Sequence, residues 1–275
     1  MAANIFVSVV VTVFNEEKNM PDFLDSFVNQ DKPFEVLIVD AGSKDNTQRI
    51  VRSYERKYDF IRLEIFPGTR GESRNRGIEI AEGDVIAFID GDTMAHPFWL
   101  KELRKSFLSS DVVGGRIVNF GYQPFVELGR VEVFYKDYDM SLPSCNLAFK
   151  KEVLDEIGGF DPTFITAEDM DLNLRSVMAG YSILYNENAI VYHHARSTVV
   201  AFFKQAFWNG VGRKQLEMKH GSLWGSYDVG ELLTRKTNIW YFIRMAVGIG
   251  GYVACTLTRE KKYFPEPYKA KGKSN

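Results

Sequence analysis

Residues 85–93 read Val-Ile-Ala-Phe-Ile-Asp-Gly-Asp-Thr. An apolar run stops at two carboxylates separated by one glycine. A short run without polar alternation predicts a strand buried on both faces, as in a parallel sheet. Working outward toward the N-terminus, the same pattern recurs. The β-branched run 6–13 (FVSVVVTV) closes on Asn15-Glu16-Glu17, residues 36–40 close on Asp40-Ala41-Gly42-Ser43, and residues 61–66 form a third run. Helices are expected between the runs. Asn15 is placed to cap one through about Asn29, with acids in its first turn. The cluster 43–47 precedes a second at 48–58, and a third covers 72–81. Strand and helix alternate, so the fold class is α/β, a mostly parallel Rossmann-like sheet flanked by helices.

After Asp92 the rhythm changes. Helices are expected at 98–108, 169–179 and 199–218, and short strands at 116–119, 182–185 and 189–192. Residues 144–157 read as a loop followed by a helix that ends at Gly158-Gly159, whereas 120–143 are aromatic and without period. The expected organisation is one domain over 1–198, with halves 1–92 and 93–198, and a helical C-terminal extension over 199–275.

The 275 residues carry a net charge of −2, with 34 basic and 36 acidic side chains interspersed. A nucleic-acid-binding face would need a basic patch, and none is evident. Two cysteines, Cys145 and Cys255, make neither a disulfide framework nor a Cys-based zinc motif, and suit a reducing, cytoplasmic setting. The first residues lack a basic n-region and a small-residue cleavage site, so no signal peptide is expected.

Residues 239–257 (IWYFIRMAVGIGGYVACTL) are almost wholly apolar. As a helix they would be long enough to cross about 30 Å of hydrocarbon. Arg244 inside the run is costly there, and Gly248, Gly250 and Gly251 weaken the helix. Arg259, Lys261, Lys262, Lys269, Lys271 and Lys273 follow. Three readings stand: a helix packed on the domain with a solvated basic tail, a helix at a membrane surface, and a true span.

In open parallel sheets, ligands bind at the carboxyl ends of the strands, so the residues closing each strand are the site candidates. Asp90 and Asp92, spaced by Gly91, can address a divalent cation such as Mg²⁺ or Mn²⁺ together, or form an ordinary Asp-Gly turn. Asp40 stands where a ribose is often held, or caps the next helix. No G-x-G-x-x-G follows the first run, which disfavours a dinucleotide site. Arg70 and Arg74, at a helix start, suit a diphosphate or are solvated helix charge. Asp169 reads either as a general base or as the partner of Thr166 in a capping-box-like spacing. Asp171 and Arg175 are spaced to pair on the helix surface. His193 and His194 end a strand, so at most one faces the site.

Five segments in order complete the pattern: VVVTVFNEE, VLIVDAGSKDNT, RNRGIEIAEGDVIAFIDGD, NLAFKKEVLDEIGGFD and AEDMDLNLR. Together they resemble glycosyltransferase family 2, of the GT-A fold, over about residues 5–198. The resemblance implies a nucleotide-sugar donor, such as a UDP-sugar, bound in the first half and an acceptor in the second. By motif position it implies a nucleotide-sugar pocket of Thr12, Phe14, Glu16, Asp40 (the uracil contact), Gly42, Arg70, Arg74, Asp90, Gly91 and Asp92. It implies Mn²⁺ or Mg²⁺ on Asp90 and Asp92, with His193 as a further ligand and His194 as its competitor. Asp169 falls at the family's catalytic base, and Asn146 and Glu168 at the acceptor side.

The processive members' Q-x-x-R-W is incomplete here, since Gln205 is present without the Arg-Trp pair. The expected reaction is therefore a single, inverting transfer to a hydroxyl or a lipid phosphate, with glycan, lipid-linked and polyprenyl-phosphate acceptors all open. Peripheral contact at the cytoplasmic face of a membrane through the C-terminal segment is part of the expectation. A nucleotidyltransferase would need a Gly-rich basic loop after the first run, and Phe14-Asn15-Glu16-Glu17 is not one. A module that only binds nucleotide sugars is the non-enzymatic alternative.

Overall fold

The computed structural model describes residues 4–121, 128, 130–194, 198–222 and 239–258. The basic residues from Arg259 onward lie outside them. The strands β1 (Val7–Val13), β2 (Phe34–Asp40), β3 (Ile61–Ile65) and β4 (Val85–Ile89) alternate with the helices α1 (Met20–Asp25), α2 (Thr47–Glu55) and α3 (Arg70–Ile80). Then come β5 (Thr93–Ala95), α4 (Trp99–Ser106), β6 (Val112–Phe120), the small ribbon β7 (Phe134–Tyr135) and β8 (Tyr138–Asp139), and β9 (Asn146–Lys150). The chain closes with α5 (Lys151–Ile157), α6 (Glu168–Met178), β10 (Ile183–His194), α7 (Val199–His220) and α8 (Ile239–Thr258).

Eight strands form one sheet in the order β3-β2-β1-β4-β9-β6-β10-β5. β1 pairs parallel with β2 and β4, and β6 pairs parallel with β10. β9 runs antiparallel between β4 and β6, and β5 antiparallel to β10. Successive side chains on a strand point to opposite faces. Val9, Val11 and Ile38 therefore join Phe23, Phe27 and Trp99 on one side, while Val10, Leu37 and Phe88 join Phe149, Phe160 and Leu172 on the other.

Several expectations are corrected. Asn15 does not cap α1. It sits at φ +58, its amide donates to Ser43 Oγ at 2.8 Å and its side chain accepts from the Lys44 amide, so the β1 loop is stapled to the β2 loop and the helix starts only at Met20. Residues 146–150, expected within a loop-and-helix unit, are a central strand, because the run is enclosed by β4 and β6, and only 151–157 are helical. The two short strands expected at 182–192 are one, β10, interrupted by a register shift between Asn186 and Ile190.

α8 packs along α7 through a seam of small residues. A Cβ on Gly210 would lie 1.8 Å from Gly248 O, and one on Gly251 would lie 2.0 Å from Phe207 O. Only glycine allows main chains this close. The packed-helix reading of residues 239–257 therefore describes one side of α8, while Phe242, Ile249 and Leu257 stay exposed on another.

Candidate active site

A cavity of about 1770 Å³ opens at the carboxyl ends of β1 and β4 and extends to α7 and α8. Thr12, Phe14, Glu16, Arg70, Arg74, Asp90, Gly91, Asp92, Glu168, Asp169, His193 and His194 all line it. The β4–β5 turn presents the two aspartates and is closed by the Thr93 amide on Asp90 O at 3.1 Å. Gly91 is required there, because a Cβ would lie 2.9 Å from Val13 Cγ1. Thr69 and Glu72 form a reciprocal capping box that fixes the start of α3, and with it Arg70 and Arg74.

Arg74 joins the two acidic motifs. It is buried, donates to Glu168 Oε1 at 2.7 Å and to Asp90 Oδ1 at 3.2 Å, and lies over the Phe160 ring. Its guanidinium is thus engaged by carboxylates at the end of β4 and the start of α6. Arg70 is more exposed and stands 3.7 Å from Glu168 Oε1.

Asp169 is half-buried on the cavity wall. The Ser144 amide donates to its Oδ2 at 3.1 Å and the Met170 amide to its Oδ1 at 2.8 Å. Burial pushes its carboxyl up, the adjacent Glu168 charge adds to this, and the net position is about 6 despite those bonds and Arg74. The capping-box reading fails at this position, because Thr166 bonds Asn209 at 3.4 Å. Ala167, at φ +64, instead makes the strained turn into α6. Strain of this kind persists only where surrounding structure enforces it. Gly212 of α7 lies so close behind the turn that a Cβ would meet Thr166 O at 2.6 Å.

His193 Nε2 stands 3.7 Å from Asp92 Oδ1, and its Nδ1 pairs with Asn119 Oδ1 at 2.8 Å. With the proton on Nδ1, Asn119 would orient the ring and leave the Nε2 lone pair toward Asp92. The His194 ring instead packs on Phe120 at 3.9 Å. Carboxylate oxygens are the donors that Mn²⁺ and Mg²⁺ prefer, whereas an imidazole nitrogen suits later transition metals better. Among the described residues no group of three or more His, Cys, Asp or Glu side chains gathers to hold a metal. Asp90, Asp92 and His193 thus offer a partial ligand set, and Mg²⁺ characteristically takes only one or two carboxylates from the protein.

At the other end, Phe14 is 55% exposed on the cavity rim. The Glu16 carboxyl is raised by burial and by the charges of Asp92 and Asp90, against a bond from Asn19. Asp40 is fully buried and does not line the cavity, although Ala41 does. Its Oδ1 accepts from the amides of Gly42 and Ser43 and from Gln48, all at 2.8 Å, and its Oδ2 has no hydrogen-bond partner. Gly42, at φ +94, makes that turn.

Asn146 is corrected. It is fully buried and away from the cavity wall, accepts from Trp99 Nε1 and donates to Arg116 O and Ala189 O. With both ends satisfied it ties α4, β6 and β10 together. The Asp171–Arg175 pair forms at 2.8 Å, but Asp171 is fully buried, not at the surface. Ser144 and Asn119 bond to the expected residues Asp169 and His193, and no motif announced them.

A cleft at the strand ends, with an Asp-Gly-Asp turn facing a Glu-Asp helix start, defines a GT-A glycosyltransferase. The model for glycosyl transferase family 2 matches residues 8–160, and that for glycosyl transferase family group 2 matches residues 85–247. The chain belongs to glycosyltransferase family 2. It is 31% identical over 229 residues to glycosyltransferase AglE of Haloferax volcanii, covering 78% of this chain and 74% of that protein. It is 25% identical over 243 residues to a dolichyl N-acetyl-α-D-glucosaminyl phosphate 3-β-D-2,3-diacetamido-2,3-dideoxy-β-D-glucuronosyltransferase of Methanococcus voltae, covering 76% and 73%. Two solved structures share the fold. The mannosyltransferase PcManGT of Pyrobaculum calidifontis, in complex with GDP-Man and Mn²⁺, has a TM-score of 0.65 at 18% identity over 90% of this chain and 75% of that one. S. aureus TarS 1–349 in complex with UDP has a TM-score of 0.60 at 20% identity over 92% and 81%.

Proposed function

We propose that this glycosyltransferase is inverting and metal-assisted, and moves a sugar from a UDP-type donor to a hydroxyl group of its acceptor. The observation that carries the reading is that Asp90, Asp92, Glu168 and Asp169 line one cavity, with Arg74 bonded to both Asp90 and Glu168. In this reading residues 1–92 bind the donor, 93–198 the acceptor, and 199–275 form the extension. Phe14 stacks on the base, Thr12 and Glu16 flank the ribose, and Asp40, the expected uracil contact, would act from behind Ala41 by holding the Gly42-Ser43 turn under the base. Gly42 and Gly91 let the main chain approach the donor, and Arg70 attends the diphosphate.

Asp92 and His193, with Asp90 beside them, would hold Mn²⁺ or Mg²⁺. The cation supplies positive charge to the departing diphosphate. Asp169 takes the proton from the attacking hydroxyl, and its raised carboxyl suits it to that task near neutral pH. The Ser144 and Met170 amides fix its position. Attack from behind the departing bond inverts the anomeric centre. Arg74 braces Asp90 and Glu168 rather than gripping phosphate.

The relative from M. voltae is named for a dolichyl-phosphate-linked acceptor. A similar acceptor, met at the cytoplasmic face of a membrane, suits the exposed apolar face of α8. The reading is tested by Mn²⁺-dependent release of UDP from UDP-sugars. Asp92→Ala is expected to abolish it, and unchanged release without metal or in that variant would overturn it.

A further inference from the structure

The turn that presents Asp169 is not held by its own sequence. Ala167 sits at φ +64, a left-handed conformation that alanine rarely adopts, and it offers no side-chain cap to α6. Such a turn persists only where neighbouring structure enforces it. The neighbour is α7.

One face of α7 runs along residues 161–171. The Thr166 hydroxyl donates to Asn209 Oδ1 at 3.4 Å, and the Ile165 amide donates to Gln215 Oε1 at 3.5 Å. Leu216 packs with Phe164, Ala167 and Met170. Lys219 Nζ bridges Asp161 and Asp171, each at 2.7 Å, and His220 Nε2 adds a bond to Asp171 at 2.7 Å. These contacts, at 209, 215–216 and 219–220, follow the helical repeat and grip the chain on both sides of Ala167.

Gly212 lies on the same face and makes the closest approach. A Cβ there would lie 2.6 Å from Thr166 O and 2.9 Å from Thr166 C. The helix therefore backs directly onto the peptide that enters the turn. From the cavity side, Asp169 is held by the Ser144 amide at 3.1 Å, and a displaced turn would release that bond. Neither Gly212 nor Gln215 lines the cavity, whereas Asp169 does. The two residues can thus reach the chemistry through the turn without touching a substrate.

We propose that α7 positions the base: Gly212 and Gln215 hold the Ala167 turn in its left-handed form and so aim the Asp169 carboxylate at the acceptor hydroxyl. Both are positioning residues, and the proposal rests on the reading of Asp169 as the base.

The test is steady-state release of UDP from UDP-glucose, UDP-galactose and UDP-N-acetylglucosamine with Mn²⁺, water standing in for the acceptor hydroxyl. It compares the full-length wild type, Gly212→Ala, Gln215→Leu, Asp169→Asn and the two doubles with Asp169→Asn, with UDP affinity measured by calorimetry. Gly212→Ala is expected to lower kcat about 10- to 100-fold, as a small misplacement of a reacting group does. KM for the donor and UDP affinity should stay at their wild-type values. Gln215→Leu should lower kcat by a smaller factor, with the same split. On the Asp169→Asn background neither change should cost more than about twofold, because residues that act as a unit are not additive. A loss by the same factor on both backgrounds would make the role of α7 purely structural and overturn the proposal. Wild-type kcat in folded Gly212→Ala would overturn it too. Wild-type kcat in Asp169→Asn would instead sink the base reading, and this one with it. Should Gly212→Ala fail to fold, the Gln215→Leu cycle decides by the same criteria.

Discussion

Arg74 and Glu168, 94 residues apart in the chain, meet in a buried ion pair at 2.7 Å. Arg74 also reaches Asp90, so one side chain of α3 sets the distance between the Asp90-Gly91-Asp92 turn and the helix that presents Asp169. Removing one partner of a buried pair leaves the other charge uncompensated, at a cost of about 3–5 kcal/mol. Arg74→Met is therefore expected to lower the urea midpoint sharply at pH 7. The double variant with Glu168→Met should regain much of the loss. Equal midpoints for Arg74→Met and wild type would show that the bridge carries no such load.

The end of α7 is fastened to α6 through Asp171. This fully buried carboxylate takes bonds from Arg175 Nε at 2.8 Å and from Lys219 Nζ and His220 Nε2 at 2.7 Å. Burial alone would raise it, but the His220 bond and the charges of Arg175 and Lys219 prevail and hold it at about 2, from an ordinary 3.8. A carboxyl lowered in the fold stabilises the protein above its unfolded value, and that stabilisation is lost as pH falls through the folded value. Roughly two units correspond to about 2–3 kcal/mol, present above about pH 4 and lost toward pH 2. Asp171→Asn should destabilise the protein at pH 7 and flatten the acid limb of a urea-midpoint series. An acid limb identical to wild type would count against this.

The α7–α8 seam tolerates no side chain at Gly210, because the obstruction is the Gly248 carbonyl in the main chain. Gly210→Ala should separate the helices. Amide hydrogen exchange would then show lost protection in α8 with β1–β4 unchanged. Protection of α8 at the wild-type level would contradict the seam.

The first half was legible because parallel strands advertise themselves: β1, β2 and β4 are apolar runs that end in polar residues. The second half was less so. β9 hides because Asn146–Lys150 is sealed between β4 and β6 and runs straight into α5 without a break. β10 read as two strands because Asn186, Glu187 and Asn188 interrupt its pattern where the register shifts. Asn146 was misjudged because a polar residue in a motif resembles a ligand contact, while its true partners, Trp99, Arg116 and Ala189, are remote in sequence. The Arg74 bridge was invisible for the same reason.

The central claim is that Asp169 is the base that accepts the hydroxyl proton. The pH dependence of kcat/KM for sugar transfer tests it most directly, with UDP affinity as the control. Only the ionised carboxylate can accept a proton, so the rate should rise through about pH 6 and level off above it. Asp169→Asn should erase that limb and lower kcat by about 10²–10⁴-fold, with UDP binding intact. A pH-independent rate, retained by Asp169→Asn, would contradict the account.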